Sequence, residues 1–173
     1  MCIRDSLKTV RLAEEHGFEV VHGIVDSLWL KRAGVSPREV AEFCREASKA
    51  IGVPLNVEGK YRWIVFLPSK VSNQIPVLNR YYGVFEEGRI KMRGIEARRG
   101  DTPLFIEKAQ IEMIKGLAKA SSYDEFLVRI PTALGVLKEY AEKLISKNVD
   151  VEELLIAKRL SKHPSGYAHD VFQ

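Results

Sequence analysis

Cysteine is scarce in this chain: Cys2 and Cys44 are the only two in 173 residues, and no Cys-x-x-Cys spacing exists. Neither a disulfide framework nor a zinc site is indicated, and a reducing, cytoplasmic setting fits. Long apolar runs are also lacking. Nothing approaches the ~20 residues needed to cross a bilayer, and no segment reads as a signal peptide. Neither a glycine-rich phosphate loop nor a nucleophile elbow is present. His163 and His169 lack the spacing and partners of zinc ligands. What remains, 46% hydrophobic and 29% charged residues, suits one respectable core or two small ones.

The net charge of +4 is modest but unevenly placed. Between Lys60 and Gly100 stand nine basic residues (Lys60, Arg62, Lys70, Arg80, Arg89, Lys91, Arg93, Arg98, Arg99) against three acids (Glu86, Glu87, Glu96). That segment is +6, so the rest of the chain sums to −2. Basic residues interleaved with Tyr61, Trp63, Tyr81 and Tyr82 suit a polyanion surface; a solvated basic face is the competing interpretation.

The pattern of elements is mixed. Leu7 to His16 reads as a short helix stopped by Gly17. Phe18-Glu19-Val20-Val21 and Leu28-Trp29-Leu30 flank His22-Gly23-Ile24-Val25-Asp26-Ser27, which reads as strand, tight turn, strand with an acid at the turn. Ser36-Pro37-Arg38-Glu39 opens a helix with Val40, Phe43, Cys44, Ala47 and Ile51 on one face, closed by Gly52 and Pro54. Cys44 on that face reads as packing. Tyr61 to Leu67, Arg80 to Phe85 and Arg89 to Arg93 are β-prone, the last two forming a hairpin around Glu86-Glu87-Gly88, with 68–76 as a loop.

After Gly100 the chain turns helical, which makes this the best domain boundary. Asp101-Thr102-Pro103 opens a helix with Ile106, Ala109, Met113 and Leu117 on one face. A second starts at the capping box Ser122-Tyr123-Asp124-Glu125 and runs towards Lys147, with a kink expected at Pro131. Asp150 with Glu153 caps a stretch, Leu154-Leu155-Ile156, open to helix or strand. The order α-β-β-α-β-β-β followed by helices predicts an α+β fold.

The hairpin at 22–27 resembles the Tyr-Gly-Asp-Thr-Asp-Ser turn of family B DNA polymerases, with Ile24 at the first acid and Asp26 at the second. The likeness continues. Asn79-Arg80-Tyr81-Tyr82-Gly83 is similar to the family's Lys-x-Tyr motif, with Asn79 in place of the lysine. Lys91-Met92-Arg93-Gly94-Ile95-Glu96 is similar to the segment leading to the thumb, and Arg98-Arg99-Gly100-Asp101 to its Arg-Arg-Asp stretch. Gln110 keeps the spacing of the first thumb helix, and Lys158, Leu160, Ser161 and Tyr167 follow the late thumb. The departures at His22, Ile24 and Asn79 resemble a divergent archaeal lineage described as inactivated.

This resemblance implies a palm half with an antiparallel sheet and flanking helices over residues 7–100, then a mainly helical, truncated thumb over 101–173. Met1 to Ser6 read as adapter-derived or non-native residues, with a genuine N-terminus as the alternative, and the chain as an open-ended fragment without exonuclease domain, fingers or the palm's other catalytic aspartate. By the same resemblance Asp26 is a catalytic residue and magnesium ligand, and Ile24 is a lost motif acid. An ordinary turn aspartate is the plain alternative. Glu58 falls where many members place a further palm carboxylate, or is a solvent-facing strand residue.

Asn79, Arg80, Tyr81, Lys91, Arg93, Arg98 and Arg99 would contact DNA; core packing competes for Tyr81 and simple solvation for the arginines. Packing beside the hairpin is expected of His22. The implied activity is DNA-directed nucleotidyl transfer at a two-metal Mg²⁺ site, weakened at Ile24 and incomplete in this chain. Primer–template DNA and deoxynucleoside triphosphates are the implied partners, with replication or repair proteins beside them, near a prokaryotic nucleoid. The alternative is a non-catalytic DNA-binding or scaffolding relative.

Overall fold

The computed structural model describes residues 3–24, 27–69, 71 and 74–157. Val25, Asp26, Lys70 and the stretch carrying Lys158, Leu160, Ser161, His163, Tyr167 and His169 lie outside the described residues, as does Cys2. The chain divides into two compact units, Met1–Tyr61 with Phe66–Arg80 and Arg62–Val65 with Tyr81–Gln173.

The first unit begins with helix α1, Ile3–Glu15, which starts before the expected Leu7. Its end is a Schellman arrangement: the Phe18 amide donates to the Ala13 carbonyl and the Gly17 amide to that of Glu14, both at 2.9 Å. Gly17 takes φ 75°, the left-handed conformation this cap requires. Strands β1, Glu19–Ile24, and β2, Ser27–Lys31, then form a two-stranded antiparallel ribbon. Helix α2 spans Pro37–Ile51 and opens with a reciprocal capping box between Ser36 and Glu39. It closes on Gly52 in the left-handed conformation.

Ala13, Phe18, Phe43 and Ala47 are the buried core here, with Leu12, Val20, Leu30, Val35, Cys44 and Leu55 packed around them. The Phe18 and Phe43 rings lie 5.2 Å apart. Burying one such ring contributes roughly 1.5–3 kcal/mol, more than any surface ion pair in this unit. Cys44 is half-buried, and that burial raises its thiol pKa, so it packs rather than reacts.

Strands β3, Tyr61–Pro68, β4, Pro76–Phe85, and β5, Ile90–Arg93, make a sheet in the order β3-β4-β5, with β3 and β4 contributing residues to both units. β4 starts four residues earlier than its pattern suggested, with Pro76 at the first position, where a missing N–H is tolerated. The β4–β5 turn is as expected: Gly88 donates to the Phe85 carbonyl and sits at φ 89°.

In the second unit a single 3₁₀ turn, Glu96–Arg98, precedes helices α3, Leu104–Leu117, and α4, Tyr123–Ile145. Tyr81, Val84, Phe85, Ile95, Ala97, Phe105, Ala109, Ile114, Leu117, Ala120 and Ala133 are its buried residues. Of the expected apolar face of α3, Ala109 and Leu117 are buried and Met113 is half-buried, but Ile106 is exposed; Phe105 is buried instead, its ring 5.0 Å from that of Tyr140. The larger aromatic surface sets the phase of the helix.

The expected capping box of α4 is redistributed too. The Ser122 hydroxyl accepts from the Glu125 amide, but the Glu125 carboxylate turns to the amide and hydroxyl of Ser121, at 2.8 and 2.9 Å. Pro131 lies within α4. Asp150 caps a 3₁₀ turn, Val151–Leu154, and Leu155 and Ile156 continue as neither helix nor strand. The fold class is α+β, in the element order the sequence predicts.

Candidate nucleic-acid interface and acidic hairpin

The β1–β2 ribbon is built to hold its tip. Glu19 pairs with Lys31, Val20 with Leu30, His22 with Trp29, Gly23 with Leu28 and Ile24 with Ser27. A bulge at Val21, between the rungs of Val20 and His22, resets the alternation. As a result His22, Ile24, Ser27 and Trp29 share one face. His22 is buried, its ring 5.2 Å from Trp29 and 4.4 Å from Phe66, and its Nε2 lies 3.0 Å from the Leu78 carbonyl. These contacts are packing and anchoring.

A Cβ at Gly23 would come within 3.1 Å of the Leu28 Cδ2, so the leucine side chain would have to give by a few tenths of an ångström. Ile24 is half-buried at the end of β1. Asp26, the carboxylate on which the acidic hairpin depends, lies outside the described residues.

Glu58 is exposed in the irregular segment between α2 and β3, rather than on a strand. Among the described residues no three His, Cys, Asp or Glu side chains converge as a metal centre requires. The carboxylate chemistry of Asp26 and Glu58 fits a hard cation, but the described acids do not assemble a site by themselves.

The basic residues are better placed. In the β4–β5 ladder Tyr81 stands opposite Arg93, and Gly83 opposite Lys91. Cross-strand partners point the same way, so Lys91 and Arg93 share the face of Tyr81. Arg93 is exposed, Lys91 is half-buried, and Tyr81 is wholly buried. On the earlier part of β4, Asn79 is exposed and Arg80 half-buried.

Arg98 ends the 3₁₀ turn and is exposed. Arg99, next along, makes a two-pronged pair with Asp101: Nε to Oδ1 at 3.0 Å and Nη2 to Oδ2 at 2.9 Å. That hydrogen bonding raises the arginine pKa further and fixes the guanidinium plane. The pair is solvent-exposed, so water and salt screen it.

Two supports escaped the sequence reading. The Trp63 Nε1–H and an Arg62 N–H both donate to the Ala120 carbonyl, at 3.1 and 3.4 Å, tying β3 to the link between α3 and α4. The Gln110 side chain grips the 3₁₀ turn. Its amide oxygen accepts the Ala97 N–H at 2.6 Å, and its amide nitrogen donates to Glu96 at 3.0 Å. Spacing marked Gln110 but not its partners.

The sequence profile of DNA polymerase family B matches residues 2–171. The chain is 29% identical to a DNA polymerase of Archaeoglobus fulgidus over 159 residues, 92% of this chain and 18% of that protein. With DNA polymerase 2 of Aeropyrum pernix it is 31% identical over 158 residues, 91% of this chain and 17% of that protein. A solved family B DNA polymerase from the hyperthermophilic archaeon Pyrobaculum calidifontis is similar at TM-score 0.57 and 25% identity, over 95% of this chain and 19% of that one. The chain thus spans less than a fifth of the length of these relatives. With a profile match running almost end to end, this chain belongs to DNA polymerase family B.

Proposed function

We propose that this chain is the carboxyl-terminal half of a palm (residues 7–100) and a thumb (101–173), and that it binds primer–template DNA as part of a longer archaeal polymerase. The carrying observation is the alternation of Lys91 and Arg93 on one face of β5 in a family B chain, with Arg98 and Arg99 following on the turn beyond. Such contacts position a duplex through its phosphates without reading its sequence. In this reading Asn79 and Arg80 also contact DNA, while the buried Tyr81 ring braces β4 across the ladder from Arg93.

Asp26 holds magnesium, together with carboxylates from segments outside this sequence, and Glu58 stands as a weaker auxiliary acid. Magnesium, when bound, neutralises the triphosphate and activates the primer hydroxyl. The chain's own residues hold and orient the duplex end. Ile24, at the first acid of the motif, neither ligates a cation nor accepts a hydrogen bond, so the site is weakened. Deoxynucleoside triphosphates are the substrates, and the setting is the prokaryotic cytoplasm beside the nucleoid, among replication or repair proteins.

The test is single-nucleotide insertion by the complete protein with magnesium. Asp26→Ala is expected to cost more than the roughly 10–100-fold that loss of an outer-shell metal partner costs. Equal insertion by both proteins contradicts the assignment. A second reading, a non-catalytic DNA-binding or scaffolding relative, is favoured by Ile24. It holds if the complete wild type binds duplex but inserts nothing.

A further inference from the structure

The 3₁₀ turn that carries Arg98 is closed by two backbone bonds, from the Arg98 and Arg99 amides to the Ile95 and Glu96 carbonyls, at 2.9 and 3.0 Å. It is three residues long, and its N-cap, Ile95, contributes no side-chain hydrogen bond. The first N–H groups of any helical turn lack internal partners. Here the Ala97 N–H finds one in the Gln110 amide oxygen, thirteen residues on in α3. The other end of the same amide donates to the Glu96 carboxylate. The glutamine amide supplies an acceptor and a donor together; an ionised glutamate lacks the donor, and leucine lacks both. Buried Ile95 and Ala97 pin the turn from below, which leaves Arg98 and Arg99 outermost.

We propose that Gln110 is a positioning residue for DNA: it locks the Glu96–Arg98 turn so that Arg98 and Arg99 meet consecutive phosphates of the duplex. This rests on the DNA-binding reading above. It adds a residue that touches no DNA itself.

The experiment measures binding of the 173-residue chain to an end-labelled primer–template duplex across a salt series, with thermal melts alongside. Each phosphate contact contributes about 0.9 to the slope of log affinity against log salt. Arg98→Ala/Arg99→Ala is expected to lower the slope by about 1.8. Gln110→Leu should lower it by a similar amount although it changes no charge, and should lower it no further in the arginine-free background. Gln110→Glu keeps the acceptor but sets a second carboxylate beside Glu96. Its binding should therefore recover as the pH falls and one carboxyl gains a proton able to bridge the pair.

If the arginine variant keeps the full slope, the DNA-binding role of this turn fails and the inference with it. If the arginine variant loses slope while Gln110→Leu does not, the DNA-binding reading stands and the positioning role is overturned. Equal loss from Gln110→Leu in both backgrounds, or loss tracking a lowered melting temperature with no pH recovery in Gln110→Glu, marks a merely structural residue and also overturns it.

Discussion

Tyr81 and Arg93 face each other directly across the β4–β5 ladder, yet the tyrosine is wholly buried and the arginine exposed. One rung thus divides the labour between folding and binding. Tyr81→Ala should destabilise the chain by ~3–5 kcal/mol, the cost of deleting a large buried ring, as read by chemical denaturation. Arg93→Ala should change the unfolding free energy by no more than ~0.5 kcal/mol. It should lower the salt slope of duplex binding by about 0.9. A destabilised Arg93→Ala, or a Tyr81→Ala that folds normally, would contradict this division.

His16 ties α1 to α2. Its Nδ1 lies 2.8 Å from the Leu12 carbonyl and its Nε2 3.0 Å from the Glu46 carboxylate, and its ring sits 5.5 Å from Phe43. The Leu12 carbonyl, then Glu46, raise its pKa above the ordinary histidine value against an opposing desolvation. A raised folded-state pKa means the charged form stabilises the fold. That contribution is fully present below the ordinary value near 6.5 and is lost as pH rises through the raised one. The melting temperature should therefore decline slightly from pH 6 into the region above neutrality, and His16→Gln should flatten that decline. A wild-type melting temperature that rises over this interval would refute the assignment.

Ile24 is half-buried on the face it shares with His22 and Trp29, opposite Ser27. Ile24→Asp places a carboxylate at the first motif position. Nucleotide insertion by the complete protein should rise by roughly 10-fold, the lower end of what an outer-shell metal partner contributes. The cost is the loss of a partly buried apolar side chain, about 1 kcal/mol, visible as a lower melting temperature. Unchanged insertion with lowered stability would show that Ile24 is a packing residue alone.

Local chemistry explains what the sequence made legible. Ser36-Pro37 with Glu39, Gly17 and Gly88 each carry a backbone requirement that only a few residue types meet, and each sits where that chemistry places it. The phase of α3 was less visible, because a 3.6-residue repeat allows neighbouring stripes and Phe105 settles the choice by tertiary packing. The bond from Glu125 to Ser121 was hidden for a related reason: adjacent serines offer the carboxylate two partners of the same chemistry. At the site, alternation along β5 put Lys91 and Arg93 together. The burial of Tyr81 and the grip of Gln110 depend on residues distant in sequence, which spacing does not encode.

The most direct measurement is fluorescence anisotropy of the 173-residue chain on a primer–template duplex at rising salt. Saturable binding is expected, its log affinity falling linearly with log salt and the slope shrinking stepwise as Arg93, Arg98 and Arg99 are removed. Binding that is absent at low salt, or that keeps its slope when all three arginines are alanine, would contradict it.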